Sequence, residues 1–379
     1  MRIALTCPHH MFRGGGVQEC VLALQDELSE RGHYVKILTP QPRDYDGHIP
    51  ESIITVGGSI NTKAFTGSAW QWSVSVDTAV IDEVLEREKF DVMHFHEPWV
   101  PVWSRQIVQR SEAANVATMH GRFMDTMTAK TITTVVTPYT KPMIKYFDVF
   151  TGVSEPATEY FRTLSHRSVT IVPNGINIAK YNSRPSSAVR HPRKKTILFI
   201  GRLENRKGLK YLLRAYSELA NRRSDVQLLI AGSGPDDKKL RTYVYENNIP
   251  RVTFLGFISE KDKIHHLHRS DVFCSPAHYG ESFGIVLLEA MAASLPIVAG
   301  DNLGYQSVMR NTGALSLVNP KDTIDFARRL ELFLFDLGLR QTWLKWSYPY
   351  VKQFDYQQIV DQYEDVYKQA LKRYGERRA

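Results

Sequence analysis

Cysteine is scarce in this 379-residue chain: only Cys7, Cys20 and Cys274 occur. Three cysteines cannot build a disulfide framework, so packed apolar cores must carry the stability, and a reducing, cytoplasmic setting is expected. No uncharged apolar run reaches the roughly eighteen residues that a membrane-spanning helix needs. The opening MRIALTCPHH is too short an apolar run for a secretory signal and reads as a first strand. What the chain does hold is ordinary for a soluble protein, 43% hydrophobic and 23% charged residues, enough for two cores. The net charge of +8 is unevenly placed, with −2 over residues 1–183 and +10 over 184–379. Between 184 and 214 ten basic residues face Glu204 alone. A basic half suits an anionic ligand, a nucleic acid or an anionic membrane, and composition does not choose among them.

Short apolar runs alternate with helical patterns along the first half. RIALTC, YVKILTP, DVMHFH, VATMHG, VFTGVS and VTIVPNG read as strands. Between the first two, Val17, Val21, Leu24 and Leu28 recur on one helix face, which Gly32 ends. This alternation predicts an α/β chain with parallel sheets covered on both faces and sites beyond the strands' carboxyl ends. The stretch NSRPSSAVRHPRKK has no apolar pattern. It marks 184–195 as a linker between a first domain, 1–183, and a second, 196–355. KTILFIGR, VQLLIAGSG, VTFLGFI, SDVFCSP and PIVAG give the second domain its strands, with helices at 208–221 and near 284–294. Residues 356–374 read as one long helix, expected to complete the first domain.

Four places carry chemistry-bearing patterns. Gly14, Gly15 and Gly16 lie between the first strand and first helix, either as an anion-cradling loop or as a plain tight turn. They lack the G-x-G-x-x-G spacing, and no G-K-[ST] follows them. In FIGRLENRKG a strand ends at Gly201, and Arg202 and Lys207 flank a turn. They are either a diphosphate clamp or a solvated basic turn. Glu281 and Glu289 stand eight residues apart, about 80° off one helix face. Both meet one ligand only if Glu281 lies in the loop and the helix starts near Gly284, offering the N–H groups of Ile285 and Val286 to phosphate and Glu289 to ribose hydroxyls. His120 follows the strand VATM at a carboxyl end, as a ligand contact or a structural histidine.

Taken together, the glycines after the first strand, His120, the G-R-x4-K of Arg202 and Lys207 and the E-x7-E of Glu281 and Glu289 resemble the retaining glycosyltransferases of family 4. Within that family CPHHMFRGGGVQ, DVMHFHEP, IVPNGIN and ESFGIVLLEAMAA look most like the phosphatidyl-myo-inositol mannosyltransferases. The resemblance implies the GT-B fold, two doubly wound Rossmann-like domains facing a central cleft. It implies a hexose donor, GDP-mannose, with a UDP-sugar as the alternative, and a lipid acceptor such as phosphatidylinositol, with another lipid or a soluble acceptor as the alternative. It implies a metal-independent reaction without further cofactor. As catalytic residues it implies His120, Arg202, Lys207 and Glu281. The donor contacts implied are Gly15, Gly16, Gly201, Arg202, Lys207, Ile258, Glu281, Phe283, Gly284, Ile285, Val286 and Glu289. His9, Gln18 and Arg122 fall on the acceptor side, where Arg13, Trp99 and the segment after His120 depart from the inositol enzymes. Lipid acceptors imply a cytoplasmic protein working peripherally at the inner face of the plasma membrane. Phe65, Trp70 and Trp72 with Lys130, Lys141 and Lys145 are the candidate contacts to an anionic membrane.

Other signals are set aside. His94 and His96 lack a third zinc ligand at fitting spacing. Asp44 and Asp46 form a D-x-D without the context of the metal-dependent fold. His265, His266 and His268 are expected to be solvated. Gly232 and Gly234 form a rim of the same cleft. A nucleotide-sugar epimerase needs acid–base carboxylates that have no evident place, and a nucleic-acid binder needs aromatics that 184–214 lacks.

Overall fold

The computed structural model describes the chain apart from residues 13–14, 42–44, 46, 64–68, 74–76, 100–101, 123–135 and 192, and describes no side chains within 59–76. The chain divides into two compact units, Met1–Gly175 with Tyr356–Ala379, and Ile176–Asp355. The first contains β1 (Arg2–Thr6), β2 (Tyr34–Gln41), β3 (Ile53–Lys63), β4 (Ala69–Ser73), β5 (Val92–His96), β6 (Ala114–Met119), β7 (Val149–Gly152) and β8 (Val169–Ile171). They form one sheet in the order β4-β3-β2-β1-β5-β6-β7-β8. All neighbours are parallel except the β3–β4 hairpin. In the second unit β9 (Lys195–Ile200), β10 (Val226–Ala231), β11 (Val252–Gly256), β12 (Val272–Ser275), β13 (Ile297–Gly300) and β14 (Leu317–Val318) form a parallel sheet ordered β11-β10-β9-β12-β13-β14. Both sheets are doubly wound. Strand order reverses at β1 in one and at β9 in the other, which makes the loops after these two strands the expected ligand sites.

Central strands such as β1 and β9 are buried along nearly their whole length because helices cover both faces. Cys20, Val21, Leu24 and Leu28 of the helix Gly16–Glu30 pack into the first core, and Gly32 turns the chain at φ +83°. The C-terminal helix Tyr356–Arg378 buries Ile359, Val360, Tyr363, Val366, Tyr367 and Ala370 in that same core. Polar groups fix its register: Arg31 donates to Asp361 at 2.6 Å, His33 pairs with Glu364 at 2.8 Å, and the Tyr367 hydroxyl lies 2.9 Å from His94 Nδ1.

The domain boundary differs from the sequence reading. The second unit begins at Ile176 rather than beyond a linker at 184–195. The short helix Ile178–Asn182 packs within this unit through Tyr181, which is 5% exposed and whose hydroxyl reaches Glu289. Residues 184–194 follow as a surface segment anchored by Ala188, 1% exposed and bonded through its carbonyl to Arg184 at 2.8 Å. The chain leaves the unit beside its point of entry, where Ile176 donates to the Phe354 carbonyl at 2.8 Å. The β3–β4 hairpin and β14 are further elements that the sequence reading lacks.

If the C-terminal helix completes the first core, Tyr367→Ala should lower the stability of the first unit by about 3–5 kcal/mol. The unfolding transition of the second unit should stay in place. Calorimetry that resolves the two transitions measures both; equal shifts, or none, would contradict this packing.

Candidate active site

In the second unit the loop after β9 carries the densest charge. Gly201 and Leu203 are tied by backbone to β10 and its loop, Gly201 N–H to Ala231 and Leu203 N–H to Ser233, each at 3.0 Å. Gly232 must be glycine here: it sits at φ +133°, and a Cβ would lie 1.9 Å from the Gly201 carbonyl oxygen. A tight turn, Asn205–Lys207, follows, and Gly208 at φ +70° opens the helix Leu209–Arg222. The turn aims Lys207 Nζ at Glu281 Oε1 (2.7 Å), and Arg206 Nη1 donates to the same oxygen at 2.8 Å. Arg206 also pairs with Glu204 at 2.6 Å, and Arg202, half exposed, lies 3.7 Å from that carboxylate.

Glu281 lies in the loop before the helix Ile285–Ala292, as the spacing argument requires, with Gly284 as the N-terminal cap at φ +109°. A side chain at Gly284 would meet the Tyr305 ring at 2.7 Å. The half-buried Ile285 and Val286 place their N–H groups in the first turn of this helix. Phe283 is 2% exposed and packs against Phe354, so only its backbone can face a ligand. Ile258 is half-buried in the loop after β11. Glu289 is 5% exposed and already occupied: Lys263 Nζ donates to Oε1 at 2.7 Å, and the Tyr181 hydroxyl lies 3.0 Å from it. Burial works against the Glu260 carboxylate, but hydrogen bonds from Tyr181, Lys180 and Lys263 outweigh it and hold the group down to about 2. Burial likewise opposes the charge on Lys263, and Glu289 with Glu260 reverses the sign and raises it.

In the first unit His120 follows β6 and is 6% exposed. Its Nε2 lies 2.8 Å from His96 Nδ1, and its backbone N–H donates to Glu97 Oε1 at 2.7 Å. Burial pushes His120 down to about 4, helped by His9 and opposed by the Asn174 side chain. His94 is pushed down to about 3 by burial and by His120. Gly15, extended at φ −176°, caps the helix Gly16–Glu30, and Gln18 is half-buried in its first turn. The half-buried His9 is held below its ordinary value by burial and by His10. Arg122 is paired with Glu159 at 2.8 Å. Trp99 is a core residue, stacked on Phe161 and edge-on to Tyr160.

Thus the structure brings Lys207 and Glu281 together, sets Arg202 nearby, and puts Glu289 on a separate buried cluster. Sequence reasoning missed Arg206, Glu204, Tyr181, Lys263 and Glu260. It also expected His268 to be solvated, whereas His268 is 7% exposed and bonded to the Tyr181 carbonyl, because the helix Glu260–Arg269 turns that face inward. Among the described residues no group of three or more His, Cys, Asp or Glu is arranged to hold a metal ion. Arg13, Gly14, Asp44, Asp46, Phe65 and Lys130 lie outside the described residues, as do the side chains of Trp70 and Trp72. No described helix is long and apolar enough to cross a membrane.

Comparison with known proteins agrees with this layout. Residues 14–180 match the family described as Glycosyltransferase Family 4, and residues 183–346 match Glycosyl transferases group 1. The phosphatidyl-myo-inositol mannosyltransferase of Mycobacterium leprae is 32% identical over 371 residues, covering 97% of this chain and 96% of that protein. Sucrose-phosphate synthase from Thermosynechococcus elongatus shares the fold at TM-score 0.77 and 21% identity, over 97% of this chain and 98% of that one. So does Anabaena HepE, solved with UDP-glucose, at TM-score 0.74 and 18% identity over 96% and 98%. The two doubly wound sheets, with the charged loops after β9 and β12, are those of a GT-B glycosyltransferase. The chain belongs to glycosyltransferase family 4.

The buried histidines give the first unit a pH signature. The unfolded chain takes up protons near pH 6.5, while folded His120 and His94 resist them until about 4 and 3. The unfolded state therefore binds more protons across this window. Stability is present above pH 6.5 and falls as the pH drops toward 4, by about 1.4 kcal/mol per pH unit for each histidine. Urea denaturation between neutral pH and pH 5 measures this, and His94→Gln should reduce the slope by one proton. An unchanged slope in that variant would contradict the buried, neutral assignment.

Proposed function

We propose that this glycosyltransferase moves a hexose, mannose from GDP-mannose, onto a lipid acceptor such as phosphatidylinositol, with retention at the anomeric carbon. The observation that carries the reading is the shared hold of Lys207 and Arg206 on Glu281 Oε1, at 2.7 and 2.8 Å. A diphosphate arriving at the end of β9 competes for those donors. Its charge is met by Lys207, Arg202 and Arg206 together with the N–H groups that open the helix Ile285–Ala292. Glu281, released, accepts hydrogen bonds from hydroxyls of the transferred sugar. Glu289, held through Oε1 by Lys263 and Tyr181, is left with its second oxygen for the ribose.

In the transfer step the bond between the anomeric carbon and the phosphate oxygen breaks, and its electron pair leaves with the nucleoside diphosphate. The acceptor hydroxyl attacks from the face being vacated and gives its proton to the departing phosphate oxygen. No protein nucleophile takes part. The preorganised cations stabilise the leaving group, and His120 donates a hydrogen bond to the sugar. His9, Gln18 and Arg122 serve the acceptor side. The likeness to phosphatidyl-myo-inositol mannosyltransferases supports mannose as the sugar moved and the acceptor class. A lipid acceptor places the enzyme's work at a membrane surface, on its cytoplasmic face.

The test is transfer from a panel of nucleotide sugars to vesicles containing phosphatidylinositol. GDP-mannose should be the preferred donor, and a chelator should leave turnover intact. Arg202→Ala and Lys207→Ala should each lower kcat/KM about a hundredfold or more, and Glu281→Gln should lower kcat. Unchanged nucleotide affinity in both cation variants, or an inverted product linkage, would overturn the reading.

A further inference from the structure

The β5 motif His94-Phe95-His96-Glu97 has no task in the site described above, although its polar side chains are joined by hydrogen bonds to β6, β7 and the C-terminal helix. Its hydrogen bonds can be followed to their ends. His94 Nδ1 lies 2.9 Å from the Tyr367 hydroxyl and Nε2 lies 2.5 Å from Thr118 Oγ1. Thr118 meets Thr151, which donates to the Ala117 carbonyl at 3.4 Å. The Tyr363 side chain also bonds Thr118 and Thr151, so this network closes on the C-terminal helix. Both nitrogens of His94 are spent, so its ring lies tilted against His96, centroids 4.0 Å apart, without a hydrogen bond between them.

His96 is fully buried, and its one hydrogen bond among the described residues runs from Nδ1 to His120 Nε2 at 2.8 Å. Its Nε2 is buried with no partner. The ring is neutral, because burial and the neighbouring His94 and His120 push it well below its ordinary value. A neutral imidazole carries one proton, and there are two places for it. On Nε2 it would leave a donor orphaned in the core. On Nδ1 it is used, and only a lone pair is orphaned. Buried N–H groups without an acceptor are rarer and costlier than acceptors left short of a donor. The proton therefore sits on Nδ1, and His96 donates to His120 Nε2. His120, also neutral, must then carry its own proton on Nδ1.

The backbone of His120 is held as well. The Glu97 carboxylate accepts from the N–H groups of both His120 and Gly121, with Glu97 itself in the left-handed region at φ +50°. Ring and peptide are thus gripped by two consecutive residues of one strand end. From this we infer that His96 and Glu97 are positioning residues: they lock His120 as its Nδ1–H tautomer, so that Nδ1–H is its single ring donor, held beside the Asn174 side chain where a ligand would compete for it. The inference rests on the assignment of His120 to the sugar site only for its effect on turnover; the tautomer is a property of the ligand-free protein.

Nitrogen-15 NMR of the imidazole rings in the full-length, ligand-free enzyme at near-neutral pH reads the tautomer directly, with His120→Gln assigning the signals. The expected result is a protonated Nδ1 and an unprotonated Nε2 in His120. His96→Asn keeps a donor in place of Nδ1 and should preserve both this signature and turnover. His96→Asp offers an acceptor there and should draw the proton to Nε2, lowering kcat about a hundredfold while leaving the KM for nucleotide sugar unchanged. A wild-type His120 protonated on Nε2 would overturn the inference without any variant. So would an Asp variant with the wild-type signature. If His120 is found as Nδ1–H but His120→Gln retains full turnover, the tautomer lock stands and the sugar contact assigned to His120 falls.

Discussion

A carboxylate withdrawn from water must meet a cation or a set of donors, and two such arrangements in the second unit bear on the site. Glu281 is met by Lys207 and Arg206, and Glu289 by Lys263 and Tyr181. The two arrangements differ in what they leave available. Lys207 and Arg206 are 16% and 27% exposed and can exchange one anion for another. Lys263 is locked between Glu260 and Glu289, which fixes the Glu289 side chain in place.

The sheet topology explains why these residues meet. β9 and β12 are adjacent and parallel, so the loops leaving their carboxyl ends emerge side by side. Lys207 and Glu281 lie 74 residues apart in sequence and touch for that reason. In the first unit the same logic puts β5 beside β6, which brings HFHE under His120. There the polar groups are hydrogen-bonded to one another rather than paired with ions, and they extend through Tyr367 into the C-terminal helix.

Much of this is legible in the sequence. Parallel strands buried on both faces read as short apolar runs, which is why β1, β2, β5–β7, β9, β10, β12 and β13 stand out. The hairpin of IITVGGSINTK with AWQWS does not, because glycines and polar residues break its alternation. The E-x7-E geometry could be worked out from helix pitch alone, and Glu281 does sit in the loop. Arg206 hides inside the x4 of G-R-x4-K; the surplus of basic residues around it was the available signal. Tyr181 lies just ahead of a stretch with the composition of a linker, and nothing local reveals that its hydroxyl reaches Glu260 and Glu289, 79 and 108 residues away. Domain edges and second carboxylate partners are tertiary facts, set by which strand ends lie next to each other.

The central claim is that the donor's diphosphate takes over the cations that hold Glu281. A crystal structure of the enzyme with a nucleoside diphosphate sugar measures this most directly. Phosphate oxygens should be found on Lys207 Nζ and the Arg202 or Arg206 guanidinium, with Glu281 turned from both toward sugar hydroxyls. A bound donor whose phosphates lie elsewhere while Lys207 and Arg206 still clasp Glu281 would contradict it.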